Sequence, residues 1–315
     1  MNARHLYLIL LVIFTTFGAC KKDTDQPVTA EDSRQESKQL NDFFEREFQK
    51  DLDESPILQT QLGIKKDYGS WDDFSHLKYA EDLKKAKKRL TFLKDSINEE
   101  ALDEDAALSY RLYRQQLENE IEDYRFRFYD YPVNQMHGIH AELPAFLINM
   151  HKIDSVSDAK AYISRLEKFP KVMRDVQKGL ELREMNQIMP PSFVFAHTIE
   201  ASKNLISGKP FEKSSEPSTL LADFKEKVEK LDISSEKKNN LILEAQHALT
   251  DSVKPAYEGL IATLEDQSQR ANQEHGVWKF PKGKEFYNNR LKRMTTTDLT
   301  ACLLYTSPSP RDRTR

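Results

Sequence analysis

Residues 40–52 read LNDFFEREFQKDL. Leu40, Phe43, Phe44, Phe48 and Leu52 recur every three or four positions, with charged residues between them. That period puts the apolar side chains on one face of an α-helix. The same period returns along the chain. Residues 76–98 carry a stripe of Leu77, Leu83, Leu90, Leu93 and Ile97. A helix from Asp103 to about Arg127 is expected to turn Leu108, Leu112, Leu117, Ile121 and Tyr124 to the core. Further helices are expected over 135–150 and 157–168, the latter capped by Ser157-Asp158. Pro170 reads as the opening of a helix to Gln187, and Pro191 as the first turn of one ending at Gly208. Segments 217–231 and 235–271 complete the set, with Pro255 a kink or boundary. Ser55-Pro56 starts a short helical piece ending near Gly63. No alternating, β-branched run of strand length precedes residue 276. With only 9 glycines in 315 residues, the reading is all-α, a multi-helix array.

The composition, 31% charged and 38% hydrophobic, suits a soluble chain with a sizeable core. A net charge of −4 excludes a uniformly basic nucleic-acid binder, so no nucleic-acid partner is expected. The lysines at 84, 85, 87 and 88 read as a solvated helix face. The N-terminus is more specific. Arg4 and His5 precede an apolar run, Leu6 to Phe17, of 12 residues, short of the ~20 that span a bilayer and the length of a secretory signal core. Gly18-Ala19-Cys20 follows and resembles the lipobox of bacterial lipoproteins. This implies a signal peptide over 1–19, lipidation of Cys20 and membrane anchoring through it. Lys21 after the cysteine makes the outer membrane the expected destination, by analogy with enteric bacteria. Residues 20–35, polar and aperiodic, read as a flexible tether.

A hydrolytic zinc site needs paired ligands on one helix face with a general base beside them, most plainly as His-Glu-x-x-His. Of His5, His76, His137, His140, His151, His197, His247 and His275, none is followed by Glu. MHGIHAELPAF, residues 136–146, spaces His137 and His140 three apart near Glu142, with His151 a conceivable third donor. Histidines at a helix start or lining a cleft explain the same spacing. No phosphate loop or nucleophile elbow occurs. No catalytic or metal residue is assigned to this chain.

The most distinctive stretch is GVWKFPKGKEFYNNRLKRMTTTDLTA, residues 276–301. Gly276, Pro281 and Gly283 read as a turn or short hairpin. Thr297-Asp298 reads as the cap of a following helix. The stretch resembles a Gly-Val-Trp-x-x-Pro-x-Gly…Tyr…Thr-Thr-Thr…Leu-Thr segment of a bacterial family named domain of unknown function 885. SPILQTQLGI (55–64), DAKAYISRLEKFP (158–170) and MPPSF (189–193) agree in order. The resemblance covers about residues 36–301. It implies an exported, often lipidated, all-α zinc-metallopeptidase-like protein whose His-Glu-x-x-Pro-Gly-His-His signature lies beyond the threonine triplet. The chain then reads as the N-terminal half of a larger helical domain, inactive alone, with zinc and a peptide substrate belonging to the longer parent. His275, Trp278, Tyr287 and Arg290 are the candidate substrate-cleft contacts. A non-catalytic envelope lipoprotein binding peptide or cell-envelope material is the alternative, and a helical scaffold without a pocket a third.

The last residues stand apart. CLLYTSPSPRD, residues 302–312, back-translates to the transposase end and adapter of sequencing libraries. Residues 302–315 are therefore expected to be translated adapter. On that reading Cys20 is the only native cysteine, and Cys302 has no redox or metal role.

Overall fold

The structure, a computed structural model, describes residues 29–306. The signal-peptide reading, Cys20 and the first part of the tether lie outside the described residues, as does most of the 302–315 stretch. Among the described residues the regular structure is helical. No sheet forms, only two isolated bridges, Val133 to Gly138 and Lys209 to Pro217.

Three helices build a first core: α1 (Ala30–Glu54), α3 (Lys78–Ser96) and α4 (Glu104–Asp123). The six-residue α2 (Pro56–Gln61) follows α1 directly. Helix α1 begins inside the stretch expected to be tether. A capping box explains this: Thr29 Oγ1 accepts from Asp32 N at 3.1 Å, and the Asp32 carboxylate accepts from Thr29 N at 3.1 Å. Two first-turn donors are thereby satisfied, and the helix can start six residues before Glu36. Leu40, Phe43, Leu93 and Leu117 are buried together, and Phe43 stacks on Phe92 with centroids 4.4 Å apart. Leu108 and Leu112, expected in this core, are 51% and 62% exposed. The face of α4 that meets its neighbours runs Ala106, Tyr110, Tyr113, Leu117, Ile121, and the two leucines lie off it. Leu77 likewise precedes α3 and is exposed.

Seven further helices enclose the larger core: α5 (Ile139–Asn149), α6 (Val156–Glu167), α7 (Phe169–Met185), α8 (Ser192–Leu205), α9 (Thr219–Glu229), α10 (Ser235–Ala248) and α11 (Lys254–Ser268). Tyr162, Phe169, Phe224, Tyr257 and Leu260 are at its centre, and Trp71 reaches in from the loop after α2. Prolines shape two places. Pro144 lies inside α5 and offers no N–H to the His140 carbonyl four residues back. The Tyr257 hydroxyl from α11 donates to that carbonyl instead, at 2.5 Å. Ahead of Pro255 the chain widens into a π-turn, Leu249–Val253, where a kink or boundary is expected. The cap of α6 is Ser155, whose Oγ accepts from Asp158 N at 3.2 Å, rather than Ser157-Asp158.

No hairpin forms after Gly276. A 3₁₀ turn, Val277–Lys279, leads into α12 (Gly283–Thr295). Gly283 is needed for close approach: a Cβ there would lie 2.0 Å from the Val277 carbonyl oxygen. The short α13 (Ala301–Thr306) takes its cap from Thr300, whose Oγ1 accepts from Leu303 N at 3.4 Å, while Asp298 pairs with Lys292.

Candidate functional site

Beside the first core, among α1, α3, the end of α4 and α12, lies a cleft of about 860 Å³. One side is the end of α1 with the first turns of α3. The other is the end of α4, residues 124–130 and α12. The chain reaches that second wall through YRFRFYDY, residues 124–131, where a 3₁₀ turn, Tyr124–Phe126, ends α4. Phe126, Tyr129, Phe280 and Phe286 pack edge-on or tilted, with centroids 5.1–6.5 Å apart. This aromatic cluster fastens α12 beneath the cleft, and such pairs add to area burial by about 0.5–1.5 kcal/mol each.

The cleft is strongly and mutually charged. Lys85 bonds Glu54, and Lys78 bonds Asp82 and lies 3.6 Å from Glu54. Arg89 pairs with Asp51 at 2.6 Å and Glu47 at 3.0 Å. On the α12 side Asp123 accepts from Asn289 Nδ2 at 2.7 Å and from Arg293 Nη2 at 2.8 Å, with Arg290 Nη1 at 3.5 Å. Burial pushes the Asp123 carboxyl up, but the Arg293 and Asn289 hydrogen bonds outweigh it and hold the group below its ordinary range. A smaller hollow of about 370 Å³ adjoins the cleft and shares Asp73, Lys78, Tyr79, Asp82 and Asp130 with it. His76, His137 and Glu142 line this hollow. Arg183 crosses its floor and binds Asp130 at 2.5 Å.

Of the four expected contacts, the cleft gathers one. Arg290 lines it, with its guanidinium 5.2 Å from the Phe286 ring. His275 stacks on Phe193 at 5.3 Å, away from the cleft. Trp278 is 73% exposed and Tyr287 46% exposed, and neither lines it. The sequence reading missed Arg127, Tyr129, Tyr79 and Asp123. Its available signal was the alternation of aromatic and charged residues in YRFRFYDY, which has no helical period to draw attention to it. The histidines are dispersed. His151 is buried: its Nδ1 accepts from Arg165 Nη1 at 3.0 Å, so its Nε2 donates to the Asp158 carbonyl at 3.0 Å. His140 is buried in α5, and His137 sits on the preceding turn. Among the described residues no group of three His, Cys, Asp or Glu side chains could hold a metal ion. They do not fit a zinc site, and no step is derived through one. What the cleft can do is bind: it offers paired charges, an aromatic floor and exposed hydrogen-bonding groups to an extended polar ligand.

A family described as "Bacterial protein of unknown function (DUF885)" matches residues 56–307. Among solved structures, one described as "the putative lipoprotein from Colwellia psychrerythraea" superposes with a TM-score of 0.73 at 21% identity. The match covers 86% of this chain and 48% of that one, so the chain spans about half of that protein's length. At this identity the likeness is one of fold. No curated protein matches.

Proposed function

The chain belongs to the bacterial DUF885 family, and on that premise we propose that it is the N-terminal, substrate-holding part of an exported, lipid-anchored peptidase-like protein. The observation that carries this reading is the open cleft of about 860 Å³ walled by α1, α3, the end of α4, residues 124–130 and α12. A wall of aromatic rings and ion-paired charges suits a peptide, which presents amides, apolar side chains and charges together. Catalytic metal ligands belong to the longer parent, and this chain alone binds without cleaving. The Gly-Ala-Cys20 site supplies the anchor, in keeping with the description of the Colwellia psychrerythraea protein. Outer-membrane placement follows from Lys21.

A second reading, an envelope lipoprotein that binds peptide and never cleaves it, is favoured by one feature. Four of the cleft's five cations are paired with carboxylates rather than set beside a nucleophile. One comparison separates the two. This chain and the full product of its gene are purified, their zinc content is measured, and each is incubated with a mixed peptide library read by mass spectrometry. Zinc and cleavage in the full product only, with binding in both, is the expected result. A full product that binds peptide but holds no zinc and cleaves nothing establishes the second reading. Labelling with a fatty-acid analogue, lost in Cys20→Ala, tests the anchor.

A further inference from the structure

Five cationic side chains line the cleft, and four of them face carboxylates within 4 Å: Lys78, Lys85, Arg89 and Arg290. Arg127 is the exception. Its guanidinium lies 4.3 Å from the Tyr124 ring centroid and 4.8 Å from that of Phe128, and its Nη1 donates to the Tyr124 carbonyl at 3.1 Å. Among the described residues it has no carboxylate partner. The neighbouring Arg125 shows the contrast. It too stacks on a ring, Phe126 at 4.7 Å, but Glu122 neutralises it at 3.1 Å.

A guanidinium has five N–H donors in a planar fork matched to a carboxylate. In Arg127 one donor is used, the plane is fixed by two rings, and the group is half-buried at the wall of the cleft. Little side-chain entropy remains to be lost when an anion arrives. The cleft also limits which anion fits. Asp73 and Glu120 also line it: Asp73 accepts from the Ser75 amide, with the Lys171 and Lys78 charges nearby, and Glu120 accepts from the Gln116 side chain. With eight carboxylates against five cations on its lining, the cleft repels a polyanion and leaves room for a ligand carrying an isolated carboxylate.

We propose that Arg127 is the specificity residue of the cleft, and that it takes a single carboxylate of the bound peptide, either the chain terminus or an Asp or Glu side chain. This rests on the peptide-binding reading above and adds to it the position and sign of the recognised charge.

Fluorescence anisotropy on the full chain tests it with three N-terminally labelled hexapeptides of Ala, Leu and Phe. One ends in a free carboxylate, one in an amide, and one in an amide with a single internal Glu. The plain amide is expected to bind about 10- to 100-fold more weakly than one of the carboxylate peptides, as befits loss of a charge-assisted hydrogen bond. Which carboxylate peptide binds tightly identifies the source. The preference should shrink with added salt. Arg127→Gln should abolish the preference for the carboxylate peptide over the plain amide. Arg127→Lys, which keeps the charge but not the fork, should retain only part of it. Equal binding of all three peptides to the native chain overturns this inference and leaves the peptide cleft standing, as does a preference that survives in a folded Arg127→Gln. If none of the peptides binds the native chain, the inference and the peptide-binding reading fall together. Should Arg127→Gln fail to fold, the native-chain comparison and its salt dependence decide the matter.

Discussion

Arg165 is fully buried and holds four partners: Ser70 O at 2.9 Å, Thr60 Oγ1 at 2.7 Å, Pro56 O at 3.3 Å and His151 Nδ1 at 3.0 Å. Those contacts pin the strap from α2 to Trp71, which carries Asp72 and Asp73 into the cleft. Arg165→Ala would leave buried acceptors unmet and a void among Tyr68, Trp71 and Phe146. A loss of about 3 kcal/mol or more is expected in urea denaturation; a loss below about 1 kcal/mol would show that the strap holds itself. His151 and His140 make stability depend on pH. Burial lowers His151 to about 3, helped by the nearby Arg165 and Lys227 charges, and lowers His140 to about 4. The unfolded chain takes up protons at these rings below about pH 6.5, whereas the native state does so only near those lower values. Stability is therefore full above pH 6.5 and falls as the pH drops towards 3. Replacing His151 by Gln should flatten part of that slope in denaturation midpoints measured across this range, and an unchanged slope would count against it. None of this was legible in the sequence. His151 stood out only as a conceivable ligand, because a lone histidine does not disclose which residue fourteen positions on will bond it.

Helix α4 separates what periodicity can tell from what it cannot. Its existence and its start at Asp103 were legible, since Asp103 Oδ1 caps Ala106 N at 2.9 Å and Asp is a preferred cap. Which apolar face is buried was not, because leucines stand on two faces and only the positions of α1 and α3 select one. Leu117→Ala is accordingly expected to cost about 2–5 kcal/mol, and Leu112→Gln to stay within about 0.5 kcal/mol. Denaturation of the two variants side by side checks this, and equal losses would mean that the outer face is also covered. Helix α12 shows the opposite difficulty. Gly and Pro between 276 and 283 read as turn signals, yet Gly283 serves a close approach to Val277 O that only the folded chain reveals. The helix is tied to α4 through Asp123, which receives Asn289 and Arg293. Asp123→Ala should speed hydrogen exchange over residues 283–295 by about tenfold or more while the large core stays protected. Exchange unchanged in α12 would assign its docking to the aromatic cluster alone.

Across the whole molecule, helix class was readable from the 3.6 period, and the division into two cores was not. The division arises because α1, α3 and α4 bury their faces on one another, while α5 to α11 close around Tyr162, Phe169 and Tyr257. The lining of the cleft comes from five separate stretches that no local motif joins. The most direct measurement is photo-crosslinking of a benzophenone-bearing peptide to the full chain, with the attachment sites mapped by mass spectrometry. Crosslinks concentrated in residues 72–89, 120–130 and 283–293, and lost on competition with unlabelled peptide, are the predicted result. Crosslinks that fall on the outer faces of α8 to α10, or that unlabelled peptide does not displace, would contradict a peptide-binding cleft walled by α1, α3, α4 and α12.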